Sequence, residues 1–140
     1  MQVSQVLPEQ VDAIWPQVED KVRRAIKVTH TDVSPDYMRE AAKRGESVLW
    51  AVHEGERIIA ILALRVLVNR ENGGKTVNVD LIAGEKLNEW VETIQKLLED
   101  YRDLVGARGI QADVRDGMTK ILKSYGWRRI TTKMEFKHGR

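Results

Sequence analysis

The sequence predicts an α/β (α+β) fold: a mixed central sheet of roughly six strands with helices on both faces, in the order β-α-α-β-β-β-α-β-α-β. Three observations carry that expectation. Leu87, Trp90, Val91, Ile94, Leu97, Leu98, Tyr101 and Val105 recur every three or four residues, which marks a helix with one apolar face over Leu87–Val105. Before it, Ser47–His53, Arg57–Val68 and Thr76–Ile82 are strand-like runs separated by turn residues, a meander of two hairpins. After it come a short strand (Ile110–Val114), a short helix (Met118–Tyr125) ended by Gly126, and an alternating strand (Arg128–Lys137).

The first strand is expected around Val3 and Val6, which alternate with polar neighbours. Leu7-Pro8-Glu9 opens a helix, because proline suits a first turn. Val11, Ile14, Trp15, Val18, Val22 and Ile26 continue it at helical spacing. Pro16 lies inside this pattern and either kinks the helix or marks its start. Val28–Val33 reads as a loop. Ser34-Pro35-Asp36 then starts a second helix with a capping hydroxyl, a proline in the first turn and an acid at the positive end of the dipole. Gly45 ends it.

Glu54-Gly55 and Asn72-Gly73-Gly74 turn the chain within the meander. Ile58 to Leu64 is almost continuously apolar, so this strand is expected at the centre of the sheet, covered on both faces. Ala83–Asn88 reads as a loop. Along the last strand, Ile130, Thr132, Met134 and Phe136 share one face.

At 140 residues the chain is expected to form a single domain, 1–140, with a sizeable core. A net charge of +2 gives no reason to expect nucleic acid or an acidic membrane as partner. No apolar run approaches the roughly 18 residues of a membrane span. Met1-Gln2-Val3-Ser4-Gln5 lacks the basic and apolar regions of a signal peptide, so a cytoplasmic location is expected. The absence of cysteine excludes disulfides, thiolate nucleophiles and cysteine metal sites. No cluster of His, Asp and Glu has metal-ligand spacing, so no metal is expected.

The order of elements resembles the GCN5-related N-acetyltransferase (GNAT) fold over essentially the whole chain. A narrower resemblance, to GNAT-like proteins of tailed bacteriophages, rests on Ile14-Trp15-Pro16 and on Gly45-Glu46-Ser47-Val48-Leu49-Trp50. It continues through Gly84 with Trp90, Arg115-Asp116-Gly117, and Gly126-Trp127 with Lys137. The GNAT resemblance implies that acetyl-CoA enters a gap between Thr76–Ile82 and Ile110–Val114. Peptide groups of Leu81, Ile82 and Ala83 would hold its pantetheine arm. Gly84, Glu85, Lys86, Leu87 and Asn88 would lie at its diphosphate, where a helix N-terminus attracts anions. That loop carries one glycine where the family has several, and Glu85 opposes a phosphate. A tyrosine that protonates the CoA thiolate in the family corresponds here to Leu122. Tyr125 and Ser124 lie nearby in another register.

Asp80 could accept a proton from an incoming ammonium, or pair with a nearby base on the strand. His53 fits a turn better than a general base. The four tryptophans fit a core or a groove lining, although an exposed Trp90 would mark a ligand or partner contact. In Arg115-Asp116-Gly117 the last two residues are turn chemistry, which leaves Arg115 as the candidate anion or partner contact. Lys21, Arg23, Arg24 and Lys27 read as a solvated helix face. Two functions follow. One is an acyltransferase moving an acetyl or acyl group from CoA to a small-molecule or protein amine. The other is a non-catalytic module, phage-encoded and virion-associated or resident in the host cytoplasm, that binds a protein partner. A homodimer is compatible with either.

Overall fold

β3 (Arg57–Val68) is the axis of the molecule. Every residue from Ile58 to Leu64 is buried, which requires cover on both faces of the sheet. The computed structural model describes residues 1–29, 33–132, 134 and 136. Around β3 stand β1 (Gln2–Val6), β2 (Val48–Glu54), β4 (Lys75–Gly84) and β5 (Gly109–Ala112). The sheet order is β1-β2-β3-β4-β5; the first four strands are antiparallel, and β5 runs parallel to β4.

One face carries α1 (Val11–Thr29) and α2 (Pro35–Lys43). Their Trp15, Val18, Val22 and Met38 pack with Leu49, Ile61, Ala63, Leu81 and Ala83 of the sheet. The opposite face carries α3 (Leu87–Val105) and α4 (Asp116–Lys123). There Trp90, Ile94, Leu98, Met118 and Leu122 pack with Leu62, Leu64, Val79 and Ile82. Each large apolar side chain so buried contributes about 1.5–3 kcal/mol. The split into two cores follows from strand alternation: Leu81 and Ala83 project to one side, Ile82 to the other.

Local chemistry sets the helix ends. Ser34 Oγ accepts from the Tyr37 amide at 3.0 Å and caps α2. Gly106 ends α3 in the left-handed conformation at φ 73°. A short 3₁₀ turn, Pro8–Gln10, leads into α1, which runs on through Pro16. The missing proline amide leaves the Asp12 carbonyl without its helical donor, and the helix tolerates that one loss because its apolar stripe is buried.

The main differences from the sequence reading concern α1, β4, α4 and the last strand. α1 extends to Thr29, so residues 28 and 29 are helical where a loop is expected; His30 lies outside the described residues. β4 continues through Ala83 and Gly84, because both still pair with β3. α4 starts at Asp116, since glycine at its second position does not prevent a helix stabilised by Met118 and Leu122. Among the described residues after α4 there is no sixth strand. Ile130, Met134 and Phe136 are 60%, 89% and 88% exposed. An alternating pattern supplies a face but not a neighbour, and β5 offers an edge of only four residues. Lys137 and His138 lie outside the described residues.

Candidate functional site

β4 and β5 are paired at one end and parted at the other. The ladder joins Thr76 to Gly109, Val77 to Ile110, Asn78 to Gln111 and Val79 to Ala112. Its last rung is the Asp113 amide donating to the Val79 carbonyl at 3.0 Å. β5 ends there, while β4 runs five residues further, from Asp80 to Gly84. A bulge coincides with the parting: Ala63 faces Leu81 and Leu64 faces Val79, so Asp80 is the extra residue. A bulge bends its strand and strengthens the local twist, which swings the end of β4 away from β5.

The main chain beyond the bulge is oriented by the β3–β4 ladder. The Glu85 amide bonds the Ile59 carbonyl at 3.3 Å. Antiparallel pairing alternates, so Ala83 and Leu81 also turn their peptide groups to β3. Ile82 and Gly84 therefore turn theirs to the side that β5 has left. A cleft of about 270 Å³ lies there. Ile82, Ala83, Gly84 and Glu85 form one wall, and Arg115 and Met118 at the start of α4 form another. The third wall is the C-terminal part of α1, with Lys21, Arg24 and Lys27. A second hollow of about 330 Å³ lies at the opposite end of β4, around Arg108, which is tied to Asn72 Oδ1 at 2.9 Å. It adjoins the paired end of the strands and has no opened main chain, so the site is placed at the split.

Of the anticipated cofactor contacts, the cleft brings together Ile82, Ala83, Gly84, Glu85 and Arg115. Leu81 faces the α1 core instead. Lys86 precedes α3 in a left-handed conformation at φ 60°. Leu87 is buried under α3, and Asn88 is exposed in its first turn. Gly84 is required for a reason unrelated to any ligand. A Cβ there would sit 2.4 Å from the Ile59 carbonyl oxygen and 2.5 Å from Ala60 Cα, and its φ is +138°. Trp90 is buried at 1% exposure, and its indole N–H donates to the Glu85 carbonyl at 2.7 Å. It pins the loop from beneath and makes no exposed ligand contact.

The anticipated proton carriers lie outside the cleft lining. Asp80 is held by Arg65, whose Nη2 reaches Oδ1 at 3.0 Å, and by Asn78 Nδ2 on the same oxygen. The bond to Asp80 raises the pKa of Arg65. Ser124 Oγ donates to the Ile121 carbonyl at 2.6 Å. Tyr125 follows it at the far end of α4, a helix of eight residues and hence ~12 Å long. Leu122 is buried in the α3 core. Both ring nitrogens of His53 are engaged, with Ser4 Oγ at 2.8 Å and the Gly55 carbonyl at 2.9 Å, as a turn residue requires.

Sequence reasoning missed the α1 wall. Lys21, Arg24 and Lys27 follow one another every three residues along one ridge of α1. The pattern is visible in the sequence, but only the fold shows that this ridge borders the split. Arg23, read together with them, turns away and pairs with Glu19 and Asp20 at 3.1 and 3.0 Å.

No known family pattern matches the chain, and no curated protein sequence is significantly similar to it. Solved structures are similar in shape. One is a predicted acetyltransferase with acetyl-CoA from Clostridium acetobutylicum, with a TM-score of 0.72 and 12% identity over 97% of this chain and 95% of that one. Another is a GCN5-related N-acetyltransferase from Ralstonia eutropha, with a TM-score of 0.71 and 12% identity over 99% of each chain. A third is an aminoglycoside acetyltransferase from an uncultured soil sample, with a TM-score of 0.70 and 17% identity over 97% of each chain. No helix among the described residues is long and apolar enough to cross a membrane. With two helices on each face, a bulged β4 and a parallel β5 that ends early, the chain has the fold of the GCN5-related N-acetyltransferases.

Proposed function

We propose that the protein binds an acyl-CoA thioester in the β4–β5 split and transfers the acyl group to an amine. The observation that carries this reading is the five-residue overrun of β4 beyond its last rung with β5. It turns the Ile82 and Gly84 peptide groups toward a space that a linear, amide-bearing arm can enter. The bound thioester supplies an activated carbonyl. The Ile82 N–H is directed to stabilise negative charge developing on that carbonyl oxygen. The amine nitrogen forms the new amide bond as the C–S bond breaks, and the departing sulfur takes up the proton that the nitrogen loses.

The diphosphate would meet the free amides of the first turn of α3. Lys86 adds a cation there in place of glycines, and Glu85 a carboxylate that reduces affinity. Among the described residues lining the cleft, none replaces the thiolate-protonating tyrosine. A thiol pKa of about 8.5 makes the thiolate a workable leaving group, and the missing acid costs about 10²–10⁴ in rate. Slow transfer is therefore expected.

A second reading is a non-catalytic GNAT-fold binding module; buried Leu122 and the engagement of Ser124 and Asp80 favour the absence of catalysis. The two readings separate when acetyl-CoA is incubated with the protein and a panel of primary amines, and free thiol is followed. Acyl transfer gives amine-dependent thiol release and an acetylated product. If donor binds and no amine is acetylated, the second reading replaces the first.

A further inference from the structure

We propose that the α1 side of the cleft recognises an anion, and that the acceptor is an amine carrying a phosphate or carboxylate close to its nitrogen. This rests on the acyl-transfer reading for the word acceptor, but not for the anion site. The cleft passes through the sheet. α3, whose N-terminus would meet the donor diphosphate, packs on one face, and α1 packs on the other. A second substrate therefore approaches from the α1 side. There it meets Lys21, Arg24 and Lys27, with Arg115 across the opening.

These cations are available. None of the four has a carboxylate partner among the described residues, and Arg24 makes only a 3.4 Å bond to the Asp20 carbonyl. Against them, Glu85 is the only acid among the described residues lining the cleft. At the apex of the split Asp80 is matched by Arg65, and Asp113 is exposed. The lining thus carries an excess of positive charge.

Such a wall selects in two ways. A simple ammonium is repelled, whereas one joined to a phosphate or carboxylate is drawn in by its anion. Once bound, the amine lies among like charges, which favour its neutral form. Neutral nitrogen is the nucleophile, so the cations take over part of what a carboxylate base would do while Asp80 stays paired.

The test compares O-phosphoethanolamine, β-alanine and ethanolamine, first by calorimetric titration without donor and then as acceptors with acetyl-CoA. The anionic amines should bind at least about tenfold tighter than ethanolamine, and be acetylated with a correspondingly higher kcat/KM. The double variant Lys21→Gln/Arg24→Gln should erase that preference without changing the KM for acetyl-CoA; Arg23→Gln, one residue away but outside the cleft, should keep it. Phosphate and carboxylate are distinguished by which of the two anionic amines binds more tightly. Equal binding of all three amines overturns the proposal. So does a double variant that raises the KM for acetyl-CoA and leaves acceptor preference intact, since the cations would then serve the donor. If acetyl-CoA neither binds nor reacts while O-phosphoethanolamine still binds through Lys21 and Arg24, the anion site stands and acyl transfer falls.

Discussion

The Asp113 amide donates to the Val79 carbonyl at 3.0 Å, and past that bond β4 and β5 are no longer paired. The next residue of β4, Asp80, is the bulge, and its carboxylate is gripped by Arg65 and Asn78. The same few residues therefore end the ladder, bend the strand and hold the bend with an ion pair. This gives Asp80 a positioning role distinct from proton transfer.

Asp80→Asn should separate those roles. A general base lost from the reaction would cost about 10²–10⁴ in rate. Weakening an ion pair whose arginine is half exposed and whose carboxylate is 14% exposed should cost about 0.2–1 kcal/mol of stability and change acyl transfer only a few-fold. Urea unfolding and kcat/KM measured on the same sample decide between them. A rate loss of a hundredfold or more without loss of stability would assign Asp80 to catalysis.

Gly84→Ala should destabilise the fold before it affects any ligand. The new Cβ would meet β3 backbone at 2.4–2.5 Å in a conformation that L side chains rarely adopt. Strain and overpacking of this kind cost about 2–4 kcal/mol. Chemical denaturation should show the loss without any acyl-CoA present. An unchanged midpoint would mean that this glycine serves the ligand after all.

Trp90→Phe removes the donor that holds the Glu85 carbonyl and leaves a buried ring in place. The expected cost is about 1–3 kcal/mol. Because the Glu85 loop borders the cleft, affinity for acetyl-CoA should fall with it. Unchanged stability and affinity would show that the loop is held by other contacts.

Asp12 joins α1 to α2 through Arg39 Nη2 at 2.8 Å and Lys43 Nζ at 3.0 Å. Its hydrogen bonds from Lys43 and then Arg39 hold its pKa below the ordinary carboxylate value, and its bond to Lys43 raises that lysine. A carboxylate depressed by folding stabilises fully above its ordinary pKa, and the contribution disappears as pH falls through the folded value. The raised lysine contributes below its ordinary pKa and loses its contribution as pH rises through the folded value. Asp12→Asn should thus lower Tm at neutral pH and match the parent once the pH has fallen below the depressed pKa of Asp12. A Tm difference that persists in acid would point to packing at α1–α2.

Much of this architecture was legible in the residues, and the exceptions have physical causes. Leu87–Val105 and Arg57–Val68 fall where expected, because a one-faced stripe and an unbroken apolar run each fit a single environment. The segment Arg128–Lys137 has the alternation of a strand, yet its described part forms none, because pairing depends on a neighbour that alternation does not specify. Ile82, Ala83 and Gly84 were legible as the rim of a gap through the resemblance of the whole chain to one fold. Lys21, Arg24 and Lys27 were not: the same spacing serves an open helix face and a cleft wall, and only the position of α1 beside the split distinguishes them. Asp80 shows the converse. Its place beside the gap was readable, but Arg65, fifteen residues away, was not identifiable as its partner without the β3–β4 register.

The most direct measurement is thermal unfolding with acetyl-CoA titrated across the micromolar to millimolar range, with Lys21→Gln/Arg24→Gln alongside. Occupation of the split predicts a saturable rise in Tm in both proteins, equivalent to about 2.7 kcal/mol at a hundredfold excess over the dissociation constant. An unchanged Tm with millimolar acetyl-CoA would contradict the claim that the parted ends of β4 and β5 receive an acyl donor.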